Sequence, residues 1–98
     1  MKLTPAHEFI KAFLEIHPTF AVMKPGCPYC QTAKMTLKNN NINFDEIDME
    51  TNPQLVESIK EAYNHKTFPM IFLNKNFVGG SDDLKKLYTK KKNLRQNL

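Results

Sequence analysis

Lys24-Pro25-Gly26-Cys27-Pro28-Tyr29-Cys30 is the stretch that decides the fold, because it holds both cysteines of the 98-residue chain. The apolar run 20–23 before it predicts a buried strand, and the segment 30–39 after it has the composition of a helix. Two thiols separated by two residues at a strand-to-helix junction are a redox signature when the surrounding pattern is strand–helix–strand. We therefore interpret Cys27 and Cys30 as a catalytic redox pair.

The first of the two sulfurs is expected to be the more acidic. A helix N-terminus offers free N–H donors and the positive end of the helix dipole, and both stabilise a thiolate over a thiol. Pro28 suits the first helical position, and Lys24 adds a nearby positive charge. We expect the pKa of Cys27 to lie well below the ~8.5 of a free cysteine. Cys30, farther into the helix, is expected to be more buried and to have the higher pKa.

Three other interpretations of the cysteine pair are weighed against this one. A disulfide across so short a loop hardly restricts the unfolded chain, so a purely structural bond is disfavoured. A zinc site needs more ligands, and His7, His17 and His65 fall outside zinc-site spacing, so no metal site is predicted. Two buried, inert cysteines are the third alternative, but the prolines and the glycine around them favour an exposed turn.

The length and charge of the chain predict one domain, 1–98, with no nucleic-acid partner. The formal net charge is +4, and six basic residues fall near the C-terminus: Lys85, Lys86, Lys90, Lys91, Lys92 and Arg95. Aromatic residues that would stack on bases are absent among them, Tyr88 apart. We interpret this segment as a solvated helix end, where lysines suit the negative end of the dipole.

The sequence also predicts where the protein works. No apolar run approaches the ~20 residues of a membrane span, so no membrane partner is expected. The N-terminal residues do not resemble a signal peptide or a transit segment. A secreted disulfide scaffold would carry more cysteines. We therefore expect a reducing compartment, the cytoplasm.

The rest of the chain alternates helical and strand patterns. Thr4-Pro5 begins a helix that His17-Pro18 ends, and Asn39-Asn40-Asn41 ends the helix that follows the cysteines. The other predicted elements are strand 42–49, a helix from 52–53, strand 70–73, a short strand at 77–78 and a helix after 79–83. The order αβαβαββα needs a parallel strand pair and an antiparallel hairpin. A four-stranded mixed sheet with helices on both faces, the three-layer thioredoxin-like α/β arrangement, satisfies both.

Two further stretches predict a binding site. Thr67-Phe68-Pro69 precedes a core strand, and Pro69 should stand at its start because proline cannot donate to a sheet ladder. If Pro69 is cis, the backbone of Phe68 is left free to pair with an extended peptide, whereas an ordinary trans proline would only delimit the strand. The stretch 79–83 (Gly-Gly-Ser-Asp-Asp) offers N–H groups at a helix start, which is a carboxylate-binding arrangement.

Together, Lys-x-x-Cys-Pro-Tyr-Cys, Thr-x-Pro and Gly-Gly-x-x-Asp-Leu resemble the motifs of a dithiol glutaredoxin, and the resemblance covers essentially the whole chain. Thioredoxins typically carry Trp-Cys-Gly-Pro-Cys, and this chain has no tryptophan. The resemblance implies that glutathione, as a co-substrate and not a tightly bound cofactor, lies in a groove between the three motifs. The residues that it implies at this groove are Lys24, Tyr29, Lys66, Thr67, Phe68, Pro69, Gly80, Ser81, Asp82 and Asp83.

The resemblance also assigns roles within the groove. Lys24, assisted by Lys66, would meet the glycine carboxylate of glutathione, and the Phe68 backbone would pair with its cysteine. The segment 81–83 would hold the γ-glutamyl end, and Tyr29 would flank the sulfur. The implied activity is reduction of protein–glutathione mixed disulfides and protein disulfides by a monomer. Oxidised glutathione would then return to glutathione through glutathione reductase.

Two alternatives to this activity follow from the same resemblance. Some relatives carry a [2Fe–2S] cluster between two protomers and act as iron–sulfur carriers. Those members usually have Ser or Gly after the first cysteine, where this chain has Pro28. A thioredoxin reduced by its own flavoenzyme is disfavoured by the missing tryptophan and by the intact glutathione-site motifs.

Overall fold

Four helices and four strands follow one another in the computed structural model, which describes the backbone of residues 4–96 and the side chains of residues 4–88. They are α1 (Pro5–Ile16), β1 (Phe20–Met23), α2 (Pro28–Asn39), β2 (Asp45–Asp48), α3 (Pro53–Tyr63), β3 (Met70–Leu73), β4 (Asn76–Gly79) and α4 (Ser81–Gln96). The predicted order αβαβαββα is therefore confirmed.

Proline begins three of the four described helices. Pro5, Pro28 and Pro53 each occupy the first turn, where the missing N–H costs no intrahelical bond. Thr4 caps α1, since its hydroxyl accepts the His7 N–H at 3.2 Å. These starts are local signals, which explains why the sequence predicts them well.

The sheet has the strand order β2-β1-β3-β4. Strand β1 pairs in parallel with β2, across the α2 crossover, and antiparallel with β3, while β3 and β4 form an antiparallel hairpin. The mixed, four-stranded, thioredoxin-like sheet predicted from the sequence is thus confirmed. Its two central strands, β1 and β3, place the cysteine turn and the loop before β3 at the same end of the sheet.

Helices cover both faces of the sheet, and the alternation of β1 assigns side chains to each face. Phe20 and Val22 pack with α1 and α3, and the Phe20 ring stacks on Phe72 of β3 at 4.8 Å between centroids. Ala21 and Met23 pack on the other face with α2 and α4. Cys30 belongs to this second cluster, so one of the two thiols is part of the core.

Strand β2 is shorter than predicted, and the reason lies at the end of α2. Asn41 takes a left-handed φ of 58°, and the N–H of Ile42 donates to the Leu37 carbonyl at 3.0 Å. This is the Schellman arrangement, with the apolar side chains of Ile42 and Leu37 in one cluster. Because the helix cap uses the Ile42 N–H, this group is not available to the sheet. Sheet pairing starts at Asp45, whose N–H donates to the carbonyl oxygen of Thr19 at 3.0 Å.

The basic C-terminal segment is described only in part. Lys85 and Lys86 are exposed on α4, which agrees with a solvated helix surface. The side chains of Lys90, Lys91, Lys92 and Arg95 lie outside the described residues. In the part of the chain that the structure describes, every helix is too short or too polar to span a membrane.

Candidate active site

Cys27 lies at the N-cap of α2, directly before Pro28. Its backbone is extended, with φ −94° and ψ 113°, while its carbonyl accepts the N–H of Cys30 at 3.2 Å, as the first helical turn requires. The side chain is half-buried, and its Sγ lies 3.8 Å from the carbonyl oxygen of Phe68. Cys27 is therefore at a helix N-terminus and beside the loop that precedes β3.

The pKa of Cys27 lies below its usual value, as the sequence predicts. Burial is the largest single cause and would raise this pKa. The hydrogen bonds from the Cys30 thiol and from the N–H groups of Cys30 and Tyr29 together more than offset it. The positive charge of Lys24 lowers the pKa further. A group with these neighbours has a larger thiolate fraction at neutral pH than a free cysteine has.

Cys30 has the opposite environment. Its side chain is only 3% exposed, and burial is the largest cause that raises its pKa to about 11. Cys27 and Glu46 raise that pKa as well, whereas the Lys24 N–H, 3.4 Å from Sγ, lowers it. The predicted division between an acidic, accessible Cys27 and a buried, less acidic Cys30 is confirmed.

The loop before β3 forms the second part of the site. The Phe68–Pro69 peptide bond is cis, the isomer that leaves the Phe68 backbone free in the sequence prediction, and Pro69 is fully buried. His65, which the sequence analysis considered only as a metal ligand, lies here too. Its Nε2 is 3.4 Å from both the Pro69 carbonyl oxygen and the Thr67 hydroxyl. The sequence signal that could have placed His65 at this site is its position two residues before the Thr-x-Pro motif.

The third part of the site is the start of α4. The Asp83 carboxylate accepts the N–H of Gly80 at 3.0 Å, so Asp83 caps this helix from its third position. A Cβ on Gly79, whose φ is +120°, would overlap the Asp83 carboxylate. Ser81 is buried. The remaining N–H groups of the first turn have no intrahelical acceptor and are suited to a carboxylate.

A cavity of about 240 Å³ lies between Tyr29 of α2, the loop before β3 and the start of α4, and Cys27 lies beside it through its contact with Phe68. It brings together seven of the ten residues predicted for the groove, and His65 completes the set: Tyr29, His65, Thr67, Phe68, Gly80, Ser81, Asp82 and Asp83. Of the other three, Pro69 is buried behind the loop. Lys24 lines a separate cavity that contains Cys30, and Lys66 lines a third one between α1 and α3.

Comparison with known proteins agrees with this geometry. The family model described as glutaredoxin matches residues 20–78. Glutaredoxin-1 of Rhizophagus irregularis is 33% identical over 78 residues, which cover 76% of this chain and 77% of that protein. The solution structure of a glutaredoxin from Brucella melitensis has a TM-score of 0.65 and 38% identity, over 76% of this chain and 80% of that one.

A hybrid peroxiredoxin, hyPrx5, of Haemophilus influenzae is 37% identical over 65 residues. The match covers 66% of this chain but spans only 27% of that longer protein. The family match covers more than half of the chain and includes both cysteines and the cis-proline loop. The chain therefore belongs to the glutaredoxin family of thiol–disulfide oxidoreductases, as a member with two cysteines at its active site.

Proposed function

We propose that the chain uses glutathione to reduce protein–glutathione mixed disulfides and protein disulfides. The observation that carries this proposal is the contact between Cys27 Sγ and the Phe68 carbonyl, 3.8 Å apart, beside a groove that ends at the N-terminus of α4. This arrangement supports an extended thiol peptide with its sulfur at Cys27, its backbone along Phe68 and an α-carboxylate at the helix start.

The first route needs Cys27 alone. Its thiolate attacks the glutathionyl sulfur of a substrate, the substrate sulfur leaves as a thiolate, and Cys27 keeps glutathione as a mixed disulfide. A second glutathione thiolate then attacks the glutathionyl sulfur, and Cys27 leaves as the thiolate. The products are a reduced substrate and oxidised glutathione, which glutathione reductase returns to the thiol.

The second route needs both cysteines. Cys27 attacks a protein disulfide and forms a mixed disulfide with one of its sulfurs. Cys30 then attacks Cys27 Sγ, the substrate leaves with both sulfurs reduced, and a Cys27–Cys30 disulfide remains. Two glutathione molecules reduce this disulfide and leave as oxidised glutathione. The low pKa of Cys27 supports it as the attacking and leaving group in both routes.

The proposal also concerns Lys24 and Lys66, the two lysines predicted at the groove. Lys24 and Lys66 line other cavities, so contact with a glycine carboxylate requires their side chains to turn toward the groove. A lysine can do so because its charge stands on a flexible four-carbon chain. Lys24 is the better candidate, since its charge already acts on Cys27.

We also propose that the protein works as a monomer in the cytoplasm without a tightly bound cofactor. Size-exclusion chromatography and cell fractionation test the first two statements, and a dimer or an exported protein would contradict them. Protein isolated anaerobically should be colourless. Visible absorption from a stoichiometric [2Fe–2S] cluster would instead support the iron–sulfur carrier.

The function itself is tested by a coupled assay with glutathione, glutathione reductase, NADPH and a mixed disulfide between glutathione and a small thiol. We expect NADPH oxidation that depends on both the protein and glutathione. A folded protein that gives no glutathione-dependent turnover, yet accepts electrons from a thioredoxin reductase, would contradict the proposal and support a thioredoxin-like cycle.

A further inference from the structure

A second cavity, of about 250 Å³, lies on the other side of the cysteine pair from the groove. Cys30 contributes to its wall, together with four charged residues: Lys24, Lys34, Glu46 and Asp48. The proposed function uses none of the last three. Two acidic and two basic residues therefore share a cavity with the resolving cysteine, which is otherwise part of an apolar cluster.

The register of the sheet places Glu46 on this side. Glu46 pairs with Ala21, whose side chain packs in the same cluster as Cys30, whereas the neighbouring Ile47 packs on the opposite face. Lys34 lies one helical turn after Cys30 in α2, and its Nζ is 2.9 Å from Glu46 Oε1. This ion pair joins α2 to β2 and holds a carboxylate at the cavity that Cys30 shares.

Cys30 faces several other titratable groups. Cys27 is its hydrogen-bond partner, and Tyr88 of α4 packs against the same cluster. The Asp48 carboxylate, which also lines the cavity, accepts the N–H of Glu50 at 2.8 Å. Among the carboxylates, Glu46 is the one whose charge raises the pKa of Cys30, although burial is the largest cause.

The charge of Glu46 gains importance once a substrate is bound. In a mixed disulfide Cys27 is uncharged and no longer accepts a hydrogen bond as a thiolate, so its influence on Cys30 largely disappears. Glu46 does not react and keeps its charge. It then remains as an anionic group that opposes a thiolate at Cys30, and release of the substrate requires that thiolate.

We propose that Glu46, held by Lys34, acts through Cys30 to slow the intramolecular release of substrates from Cys27, and thereby favours the one-cysteine route. In the step concerned, Cys30 gives its proton to solvent and its thiolate attacks Cys27 Sγ. The Cys27–substrate bond breaks, the substrate sulfur is reduced and leaves as a thiolate, and the two cysteines are oxidised to a disulfide. The proposal rests on the proposed function for the existence of the two routes.

The step can be measured without glutathione. Reduced protein is mixed with 5,5′-dithiobis(2-nitrobenzoate), which leaves a thionitrobenzoate on Cys27, and attack by Cys30 releases it as a coloured anion. The relevant rate is the one that does not depend on reagent concentration. We expect Glu46→Gln to raise this rate about twofold. Removal of a partly screened negative charge should raise the thiolate fraction of Cys30 about threefold. A thiolate of lower pKa is a weaker nucleophile, which offsets part of this gain.

Matched variants separate this effect from a loss of structure. Lys34→Gln leaves Glu46 without its cation and should slow the release, while the double variant Lys34→Gln/Glu46→Gln should return toward the wild-type rate. Asp45→Asn is the matched control, because it removes the same charge from the same strand. Asp45 pairs with His17, 2.8 Å away, so the rate of release in this variant should equal that of the wild type. Thermal unfolding shows whether each variant remains folded.

A second readout reports on Cys30 directly. In a Cys27→Ser background, Glu46→Gln should move the inflection of Cys30 alkylation to lower pH by about half a unit. A release rate that is unchanged or lowered by Glu46→Gln would overturn the proposal, as would an equal effect of Asp45→Asn. Because neither readout involves glutathione, a protein that does not use glutathione can still pass or fail this test.

Discussion

The Sγ of Cys27 lies 3.8 Å from the carbonyl oxygen of Phe68, 41 positions later in the chain. The contact joins the turn after β1 to the loop before β3, and these two central strands are paired in the sheet. It places the more acidic thiol against a segment of backbone whose Phe68–Pro69 bond is cis.

Replacing Cys27 by serine should abolish every thiol-transfer activity. Cys30 is the other sulfhydryl of the chain, and its burial and high pKa leave it without an accessible thiolate at neutral pH. The coupled assay, with a small mixed disulfide and with a protein disulfide, measures both activities. Appreciable turnover by a folded Cys27→Ser variant would remove Cys27 from its role as nucleophile.

Cys27 and Cys30 should differ in how the rate of their reaction with iodoacetamide depends on pH. The thiolate fraction falls about tenfold for each pH unit below the pKa, so a lowered pKa extends reactivity to more acidic solution. Cys27 should therefore show an inflection below the ~8.5 of a free thiol. Cys30, with a pKa raised to about 11, should stay unmodified at neutral pH. An inflection for Cys27 at the position of a free thiol would contradict the proposed activation.

Gly79→Ala should destabilise the protein at the start of α4. The backbone there has a φ of +120°, and the added Cβ would overlap the Asp83 carboxylate that caps the helix. We expect the free energy of unfolding to fall by about 1–3 kcal/mol. Gly26→Ala is the matched control, since Gly26 also has a positive φ, +71°, but open space around the new Cβ. Equal losses in urea unfolding would show that backbone strain alone matters and that the overlap with Asp83 does not.

Lys24→Ala should raise the apparent KM for glutathione while leaving the fold intact. An exposed ionic contact contributes only ~0.2–1 kcal/mol, which corresponds to at most about fivefold in the constant. Lys66→Ala is the comparison variant because Lys66 lines a cavity between α1 and α3 that contains neither cysteine. An unchanged KM in Lys24→Ala would exclude Lys24 from glutathione binding.

Much of this architecture is predictable because its signals are local. Prolines at helix starts, apolar runs of strand length and two cysteines at a strand-to-helix junction each report on their own neighbours along the chain. The low pKa of Cys27 is also partly local, since hydrogen bonds from Cys30 and Tyr29 in the first turn of the same helix lower it, whereas the high pKa of Cys30 comes chiefly from its burial in the core.

The features that the sequence does not predict lie in the loops and in the pairing of the strands. Strand β2 starts late because the end of α2 takes the Ile42 N–H, which an alternating apolar pattern does not reveal. His65 joins the groove through the fold of the loop around Pro69. The position of Glu46 beside Cys30 depends on the parallel register with β1, and no motif in the sequence encodes that register.

The Cys30→Ser variant shows most directly whether Cys27 alone can carry a complete turnover. The measurement compares its rate with a small glutathione mixed disulfide and its rate with a protein disulfide. The one-cysteine route needs only Cys27 and a second glutathione, so the first activity should remain substantial. The second should fall steeply, because no thiol at position 30 releases a trapped substrate. Equal loss of both activities in the folded variant would contradict the account, since Cys30 would then be required for every turnover.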